Sequence, residues 1–172
     1  HRLRVRLDED PDRFSARRLS VLTGVELRTW LSDDGEPGSS TVDRVDERVA
    51  LLNDMGGVLL DGYGGSAAAL LAASKGRLEG RLGLYERLSR MRAYRDPVRK
   101  KSGLLIQVLR HSGVFEPVDP QALGIAVDYH VLRVLLRTGA LQLKGDRGRE
   151  LRQGAQMTES EDVRVRAKAL EA

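Results

Sequence analysis

Residues 125–139 read IAVDYHVLRVLLRTG, in which an apolar segment, one acidic residue and an amphipathic helical pattern follow one another. Asp128 stands where the helical pattern begins, and Gly139 stands where it ends. An Asp at a helix N-cap accepts hydrogen bonds from backbone N–H groups and lies at the positive end of the helix dipole. Because both interactions favour the charged form, the sequence predicts a carboxylate that stays ionised at neutral pH.

Similar patterns along the chain predict an all-α protein. Apolar residues recur at three- and four-residue steps in a long segment that follows Thr41, and again over residues 78–91. Residues 66–73 are apolar on most faces and predict a central helix, while Asp96 followed by Pro97 predicts the start of another helix. The sequence contains no hairpin, βαβ pattern or internal repeat, so we expect a compact multi-helix fold.

Two segments depart from the helical pattern. Leu3, Val5 and Leu7 alternate with arginine, which is typical of a short edge strand or an extended arm. Residues 144–149 are charged and predict a loop.

The domain organisation follows from residues 32–40, whose Asp, Gly, Pro and Ser content predicts a loop. We expect an N-terminal arm with short helices over residues 1–40 and a helical domain over residues 41–172, either separate from the arm or continuous with it. At 172 residues the chain is long enough to bury a core. Because the first residue is not Met, the chain can also be a fragment.

The composition bounds the classes of function. Lysine and arginine total 29 against 25 aspartate and glutamate, and the net charge of +4 fits a polyanionic partner such as DNA. The chain has no cysteine, which excludes disulfides, thiolate catalysis and cysteine-bound iron–sulfur clusters within these residues and agrees with a cytoplasmic protein. Apolar stretches are too short to span a membrane, and we expect neither a metal nor a cofactor.

The segment around Asp128 resembles the hallmark of the helix-hairpin-helix glycosylase superfamily, whose helical enzymes cut base–sugar bonds. In that hallmark an apolar residue, the catalytic Asp, one variable residue and a His precede a helix that carries Arg. The matching residues here are Val127, Asp128, His130, Arg133 and Arg137. The resemblance implies an N-glycosidase with a DNA-glycosylase-like fold.

Two other segments are similar to branches of this superfamily. Residues 96–102, which read DPVRKKS, look like the segment that carries the catalytic Lys in the archaeal 8-oxoguanine branch. Residues 48–56 and 63–66 are similar to the queuosine-salvage nucleoside glycosidases. The Gly-rich hairpin that usually binds the DNA backbone just before the catalytic Lys is missing, so a nucleoside substrate stays open beside DNA.

The resemblance implies roles for individual residues. Asp128 would stabilise the positive charge that develops on the sugar ring and would orient a water molecule. Lys101 would form an imine with the sugar if the enzyme is also a lyase. Tyr129, Tyr63 and Tyr94 are candidates for stacking against an extruded base. Contacts with phosphate groups are expected from Arg99, Lys100, Arg133 and Arg137.

Three hypotheses about function stay open at this point. The first is a monomeric DNA glycosylase that excises a modified or damaged base, in DNA repair or in defence against phages with modified DNA. The second is a queuosine-type nucleoside glycosidase that releases a free base. The third is a non-catalytic helical nucleic-acid-binding module, in which Asp128 only caps its helix and the basic residues are solvated. A cavity beside Asp128 with Lys101 facing it would favour the two enzymes.

Overall fold

A computed structural model describes residues 2–171 of the chain, with side chains from Arg4 onward. Ten α-helices and four short 3₁₀ turns form the regular structure of these residues, which contain no strand, so the predicted all-α class is confirmed. No helix in the described part is long and apolar enough to cross a membrane. The chain divides between Arg95 and Asp96 into two compact units, here called unit 1 and unit 2.

Unit 1 contains six α-helices within its described residues. They are α1 (Arg2–Glu9), α2 (Ala16–Ser20), α3 (Gly24–Leu31), α4 (Val45–Tyr63), α5 (Ala67–Ala73) and α6 (Leu84–Leu88). Three 3₁₀ turns complete the unit over Pro11–Phe14, Pro37–Ser39 and Arg92–Tyr94. Helix α4 packs against α2, α3 and α5, so it is the element around which the unit is organised.

The N-terminal residues form helix α1, so the predicted strand or extended arm is wrong. Arg4 Nε lies 3.2 Å from Asp8 Oδ1, and Arg6 Nη1 lies 3.1 Å from Glu9 Oε2. Side chains three or four positions apart are neighbours on a helix, where such ion pairs add stability. Helix α1 also packs against α3, so pairing and packing together outweigh the alternation of Leu with Arg.

The contact between α2 and α4 depends on one glycine. Gly56 is buried, and a Cβ atom at this position would lie 2.5 Å from the backbone nitrogen of Ser20. The two backbones can approach this closely because glycine has no side chain. Nearby, Asn53 Nδ2 donates hydrogen bonds to the carbonyl oxygens of Leu19 at 3.0 Å and Leu22 at 3.2 Å. The core next to this contact consists of Leu22, Leu27, Trp30 and Val45.

Two further predictions for unit 1 are only partly right. Residues 78–91 are helical only at α6, because Gly80 has a φ of +89° and a Cβ atom on Gly83 would lie 2.5 Å from the carbonyl oxygen of Leu78. Both features belong to a tight turn. Helix α5 was expected to be central, but Leu70 is its one buried residue.

Unit 2 contains four α-helices and one 3₁₀ turn within its described residues. They are α7 (Lys100–His111), the turn Pro120–Ala122, α8 (Tyr129–Thr138), α9 (Gly145–Arg152) and α10 (Glu159–Ala169). Helix α10 packs against α8. The buried apolar residues are few, namely Val98, Ile106, Phe115, Val127 and Leu132.

Helix α9 stands where the sequence predicted a charged loop, so that prediction is wrong. Arg147 Nη1 lies 2.8 Å from Glu150 Oε2, one turn further along the helix. Gly148 is buried, and a Cβ atom there would lie 2.6 Å from the carbonyl oxygen of Leu143. The helix is therefore held by an ion pair and by a close backbone contact, neither of which gives an apolar periodicity.

Candidate active site

Asp128 is the N-cap residue of α8, as the sequence predicted. Its Oδ1 accepts hydrogen bonds from the N–H groups of His130 at 2.9 Å and Val131 at 3.1 Å. Val127 before it and Leu132 after it are buried, so apolar packing holds the start of the helix in place. The Asp128 side chain keeps 26% of its surface exposed, and solvent can reach the carboxylate.

The surroundings of Asp128 favour its charged form. The hydrogen bond from the N–H of Val131 is the main reason that the pKa of the Asp128 carboxyl lies below its ordinary value. Partial burial acts in the opposite direction, but the N–H of His130 and the positive charge of Lys100 add to the lowering of this pKa. Asp128 is consequently a fixed negative charge across the neutral pH range.

Lys100 is the basic residue that reaches this carboxylate. Its Nζ lies 3.6 Å from Asp128 Oδ2, and about a third of the lysine side chain is exposed. Lys101, which the sequence favoured as the reactive amine, is exposed and forms no ion pair within the part of the chain that the structure describes. Successive residues of an α-helix point about 100° apart, so Lys101 points in a different direction from Lys100, which meets Asp128.

The position of Lys100 depends on the turn before α7. Asp96 Oδ2 accepts hydrogen bonds from the N–H of Lys100 at 3.3 Å and from Arg166 Nη1 at 2.8 Å. Arg166 belongs to α10 and also pairs with Asp162 Oδ2 at 2.8 Å. Arg99 adopts a left-handed conformation with a φ of 55°, which does not belong to a right-handed helix. Helix α7 therefore begins at Lys100, later than the sequence predicted. Sequence reasoning missed Arg166, because no local pattern links residues 70 positions apart.

The other predicted residues of unit 2 are exposed. The ring of Tyr129 lies 3.8 Å from the ring of His130, with an angle of 35° between the planes. Arg133 and Arg137 extend from α8, and neither has a carboxylate partner among residues 2–171. Arg99 lies exposed on the turn before α7. Arg133 and Arg137 are thus available for a phosphate group, whereas Lys100, the fourth residue predicted for that role, is engaged with Asp128.

Tyr63 and Tyr94, which were predicted to stack against a base, belong to unit 1. The Tyr63 hydroxyl accepts a hydrogen bond from Arg87 Nη1 at 3.3 Å, and the guanidinium carbon of Arg87 lies 6.0 Å from the centre of the Tyr63 ring. Tyr94 is half-buried, and burial raises the pKa of its hydroxyl. The contact of these two rings with a base stays a prediction.

Three cavities are prominent within the described residues. One of about 480 Å³ lies in unit 1 and is lined mainly by apolar residues of α3 and α4. The other two, of about 430 Å³ and 250 Å³, adjoin each other beside α9 in unit 2. Neither Asp128 nor Lys101 lines any of the three, so none of them is the cavity beside Asp128, faced by Lys101, that would favour an enzyme over a binding module. Asp128 opens directly to solvent, so unit 2 leaves its carboxylate accessible without enclosing it.

No metal centre is formed by the described residues, in which no group of three or more His, Asp or Glu side chains could hold an ion. The chain matches no protein-family model, and no curated protein is significantly similar to it. The function is therefore inferred from the Asp128 site itself.

Proposed function

We propose that the protein is a DNA glycosylase that hydrolyses the bond between a modified or damaged base and deoxyribose. The observation that carries the proposal is the Asp128 carboxylate, which two backbone N–H groups hold at the start of α8. Its second oxygen faces the Lys100 ammonium group at 3.6 Å. A preorganised anion of this kind suits a reaction whose centre becomes positively charged.

Hydrolysis of an N-glycosidic bond makes the sugar cationic before water adds. As the C1′–N bond breaks, its electron pair leaves with the base, and positive charge spreads over C1′ and the ring oxygen. Asp128 stabilises that charge and accepts a hydrogen bond from the water that attacks C1′. The hydroxyl of the water stays on C1′ and its proton goes to the base, so the products are a free base and an abasic sugar.

Lys100 is the amine whose position supports a part in the reaction. Its ammonium group orients the Asp128 carboxylate and can give a proton to the departing base. In a lyase reaction the neutral amine would then attack C1′ in place of water, and the sugar ring would open to an imine. The sequence assigned this part to Lys101, but the distance of 3.6 Å to Asp128 supports Lys100.

The charge on α8 supports DNA as the substrate. Arg133 and Arg137 lie on the helix that Asp128 begins and have no carboxylate partner within the described chain. Phosphate contacts release counterions, so we expect binding to a duplex to weaken steeply as salt rises. A queuosine-type nucleoside glycosidase would use Asp128 in the same way but would need no basic surface.

The substitution Asp128→Asn tests the proposal. Asn is as good an N-cap residue as Asp, so the helix should form normally while the negative charge is lost. We expect base release to fall by at least about 100-fold, the scale of removing one preorganised electrostatic group. The measurement is mass spectrometry of free bases after incubation with a panel of modified-base duplexes and modified nucleosides.

Asp10 provides the matched control. It caps the turn Pro11–Phe14 in unit 1, and its Oδ1 accepts a hydrogen bond from the N–H of Asp12 at 3.1 Å. Asp10→Asn removes an N-cap charge at a position that is distant from Asp128 in the sequence, so it should leave the rate of base release unchanged. Equal rates in the two variants would contradict the proposal. Turnover of nucleosides without duplex binding would support the nucleoside glycosidase instead.

A further inference from the structure

The positive surplus of the chain is concentrated in one segment of unit 2. Residues 133–152 contain six basic residues and two acidic ones, a net charge of +4 that equals the net charge of the whole chain. The segment comprises most of α8, the following turn and all of α9. The basic residues are Arg133, Arg137, Lys144, Arg147, Arg149 and Arg152.

Only two of these six residues are neutralised by carboxylates. Arg147 pairs with Glu150 and Glu161, each at 2.8 Å, and Arg149 pairs with Asp146. The other four have no carboxylate partner within residues 2–171, although Arg152 Nη1 donates a hydrogen bond to the carbonyl oxygen of Leu143 at 2.6 Å. The four charges without a counterion attract a polyanion.

Two of the unneutralised arginines line the same cavity. The cavity has a volume of about 430 Å³ and lies at the C-terminal end of α8, with exposed Arg137 and Arg152 in its wall. No acidic residue lines it. The rest of the wall is mainly half-buried and apolar, formed by Leu136, Leu141, Leu143, Leu151 and Met157.

We propose that this cavity binds one nucleotide of a DNA strand that flanks the reacting nucleotide, a proposal that rests on the proposed function. Its phosphate would contact Arg137 and Arg152, whose guanidinium groups suit bidentate hydrogen bonds. Its sugar and base would lie against the apolar wall. The volume falls within the range of ligand pockets, and the combination of two cations with an apolar wall matches a nucleotide better than a bare anion.

The length of α8 gives the distance between this cavity and the reaction. Asp128 precedes the first residue of the helix, and Arg137 lies nine positions later. At 1.5 Å per residue the two are separated by about 13 Å along the helix axis. A strand of B-DNA advances 3.4 Å per nucleotide, so the cavity would receive a nucleotide about four positions from the reacting one. A single nucleoside cannot occupy both sites.

The test measures DNA binding and does not require base release. Fluorescence anisotropy gives the affinity for duplexes that carry one stable abasic-site analogue, with each flank shortened in turn from about six nucleotides to about two. We expect shortening of one flank to weaken binding about tenfold, the scale of one charge-assisted contact. Arg137→Gln and Arg152→Gln should each weaken binding to long duplexes about tenfold and abolish the dependence on flank length.

Arg149→Gln is the matched control. Arg149 lies on the same helix as Arg152 but is already paired with Asp146, so its loss should change affinity little. The magnitude of the slope of log K against log salt should fall by about one for Arg137→Gln and Arg152→Gln, and by less for Arg149→Gln.

Two outcomes would overturn the proposal. One is that Arg137→Gln, Arg152→Gln and Arg149→Gln bind the duplex with equal affinity, or that Arg137→Gln and Arg152→Gln keep the dependence of affinity on flank length. The other is displacement of the duplex by polyglutamate as effectively as by unlabelled DNA of equal charge, which would indicate a general polyanion surface. These results are separable from failure of the proposed function, because an Asp128→Asn variant without base release should still bind DNA through the cavity.

Discussion

Unit 1 and unit 2 differ in the contacts that stabilise each of them internally and in the net charge that each carries. Among the described residues, eleven buried apolar side chains lie in unit 1 and five in unit 2. Unit 1 has 16 basic and 15 acidic residues, whereas unit 2 has 13 and 10, so most of the positive surplus lies in unit 2. The unit with the smaller apolar core is thus the one that carries Asp128 and the basic cavity.

Ion pairs connect the helices of unit 2 where apolar packing is sparse. Arg147 joins α9 to α10 through Glu161 at 2.8 Å, and Arg166 joins α10 to Asp96 at 2.8 Å. Isolated exposed ion pairs add little stability, but pairs organised as networks contribute more. Unit 2, which carries the candidate chemistry, therefore joins its helices through contacts that respond to pH and salt, whereas the two ion pairs of α1 lie within that helix and the helices of unit 1 are joined mainly by packing.

The largest of these effects is expected on the rate of base release, when the two neighbouring lysines of unit 2 are replaced one at a time. Lys100→Ala should lower the rate of base release by roughly 100-fold, because it removes the ammonium group 3.6 Å from Asp128. Lys101→Ala alters the next residue of the same helix and should keep a rate near that of the wild type. The rates are measured with the substrate identified in the Asp128 experiment. Loss of activity in Lys101→Ala alone would return the amine role to the residue that the sequence favoured.

A smaller effect is expected on the free energy of unfolding, when the close packing of α2 against α4 in unit 1 is disturbed. Gly56→Ala places a Cβ atom 2.5 Å from the backbone of Ser20 and should lower the free energy of unfolding by about 1–3 kcal/mol. Gly57→Ala, at a position with no atom within 4 Å, should raise it by about 0.5–1 kcal/mol because Ala favours the helix. Chemical denaturation monitored by circular dichroism gives both values. If both variants were stabilised, the α2–α4 contact would be looser than the structure indicates.

The smallest effect concerns the pH dependence of unit 2. Hydrogen bonds from Arg147 and from the Thr158 backbone lower the pKa of Glu161 to about 2. A carboxyl whose pKa is lower in the folded state stabilises the fold above its ordinary pKa and loses that effect as pH falls through the folded value. The melting temperature of Glu161→Gln should therefore lie below that of the wild type at pH 7. The gap should narrow below about pH 4.5 and close near pH 2.

Glu159→Gln is the control for that titration. Glu159 is an exposed residue in the first turn of the same helix and has no side-chain partner within the described chain. Its substitution should leave the melting temperature almost unchanged across the same pH range. A pH-independent gap between Glu161→Gln and the wild type would show that the carboxylate does not act through its charge.

The two ends of α8 were the part of the fold that the sequence predicted best. As the sequence predicted, Asp128 caps α8 and Gly139 ends it with a φ of 77°. Each of these features is made by hydrogen bonds or backbone preferences within a few residues, so a local pattern contains the information. Helices α1 and α9 were missed, because ion pairs and close packing stabilise them without an apolar periodicity.

The residues of the candidate site also fall into those that the sequence could predict and those that it could not. Asp128 could be found from the sequence because its role as an N-cap depends on its immediate neighbours. The choice between Lys100 and Lys101 could not, because it depends on where α7 begins and on which of the two side chains reaches Asp128 in the folded chain. The cavity of Arg137 and Arg152 was also beyond the sequence, since its two cations come from different helices.

The amino-acid sequence alone determined that the protein is all-α and that an ionised carboxylate begins α8, because short-range hydrogen bonds decide both. Tertiary structure decided which lysine faces that carboxylate and which arginines share a cavity. Those choices depend on contacts such as Asp96 with Arg166, made between residues 70 positions apart, and such contacts exist only once the helices have packed.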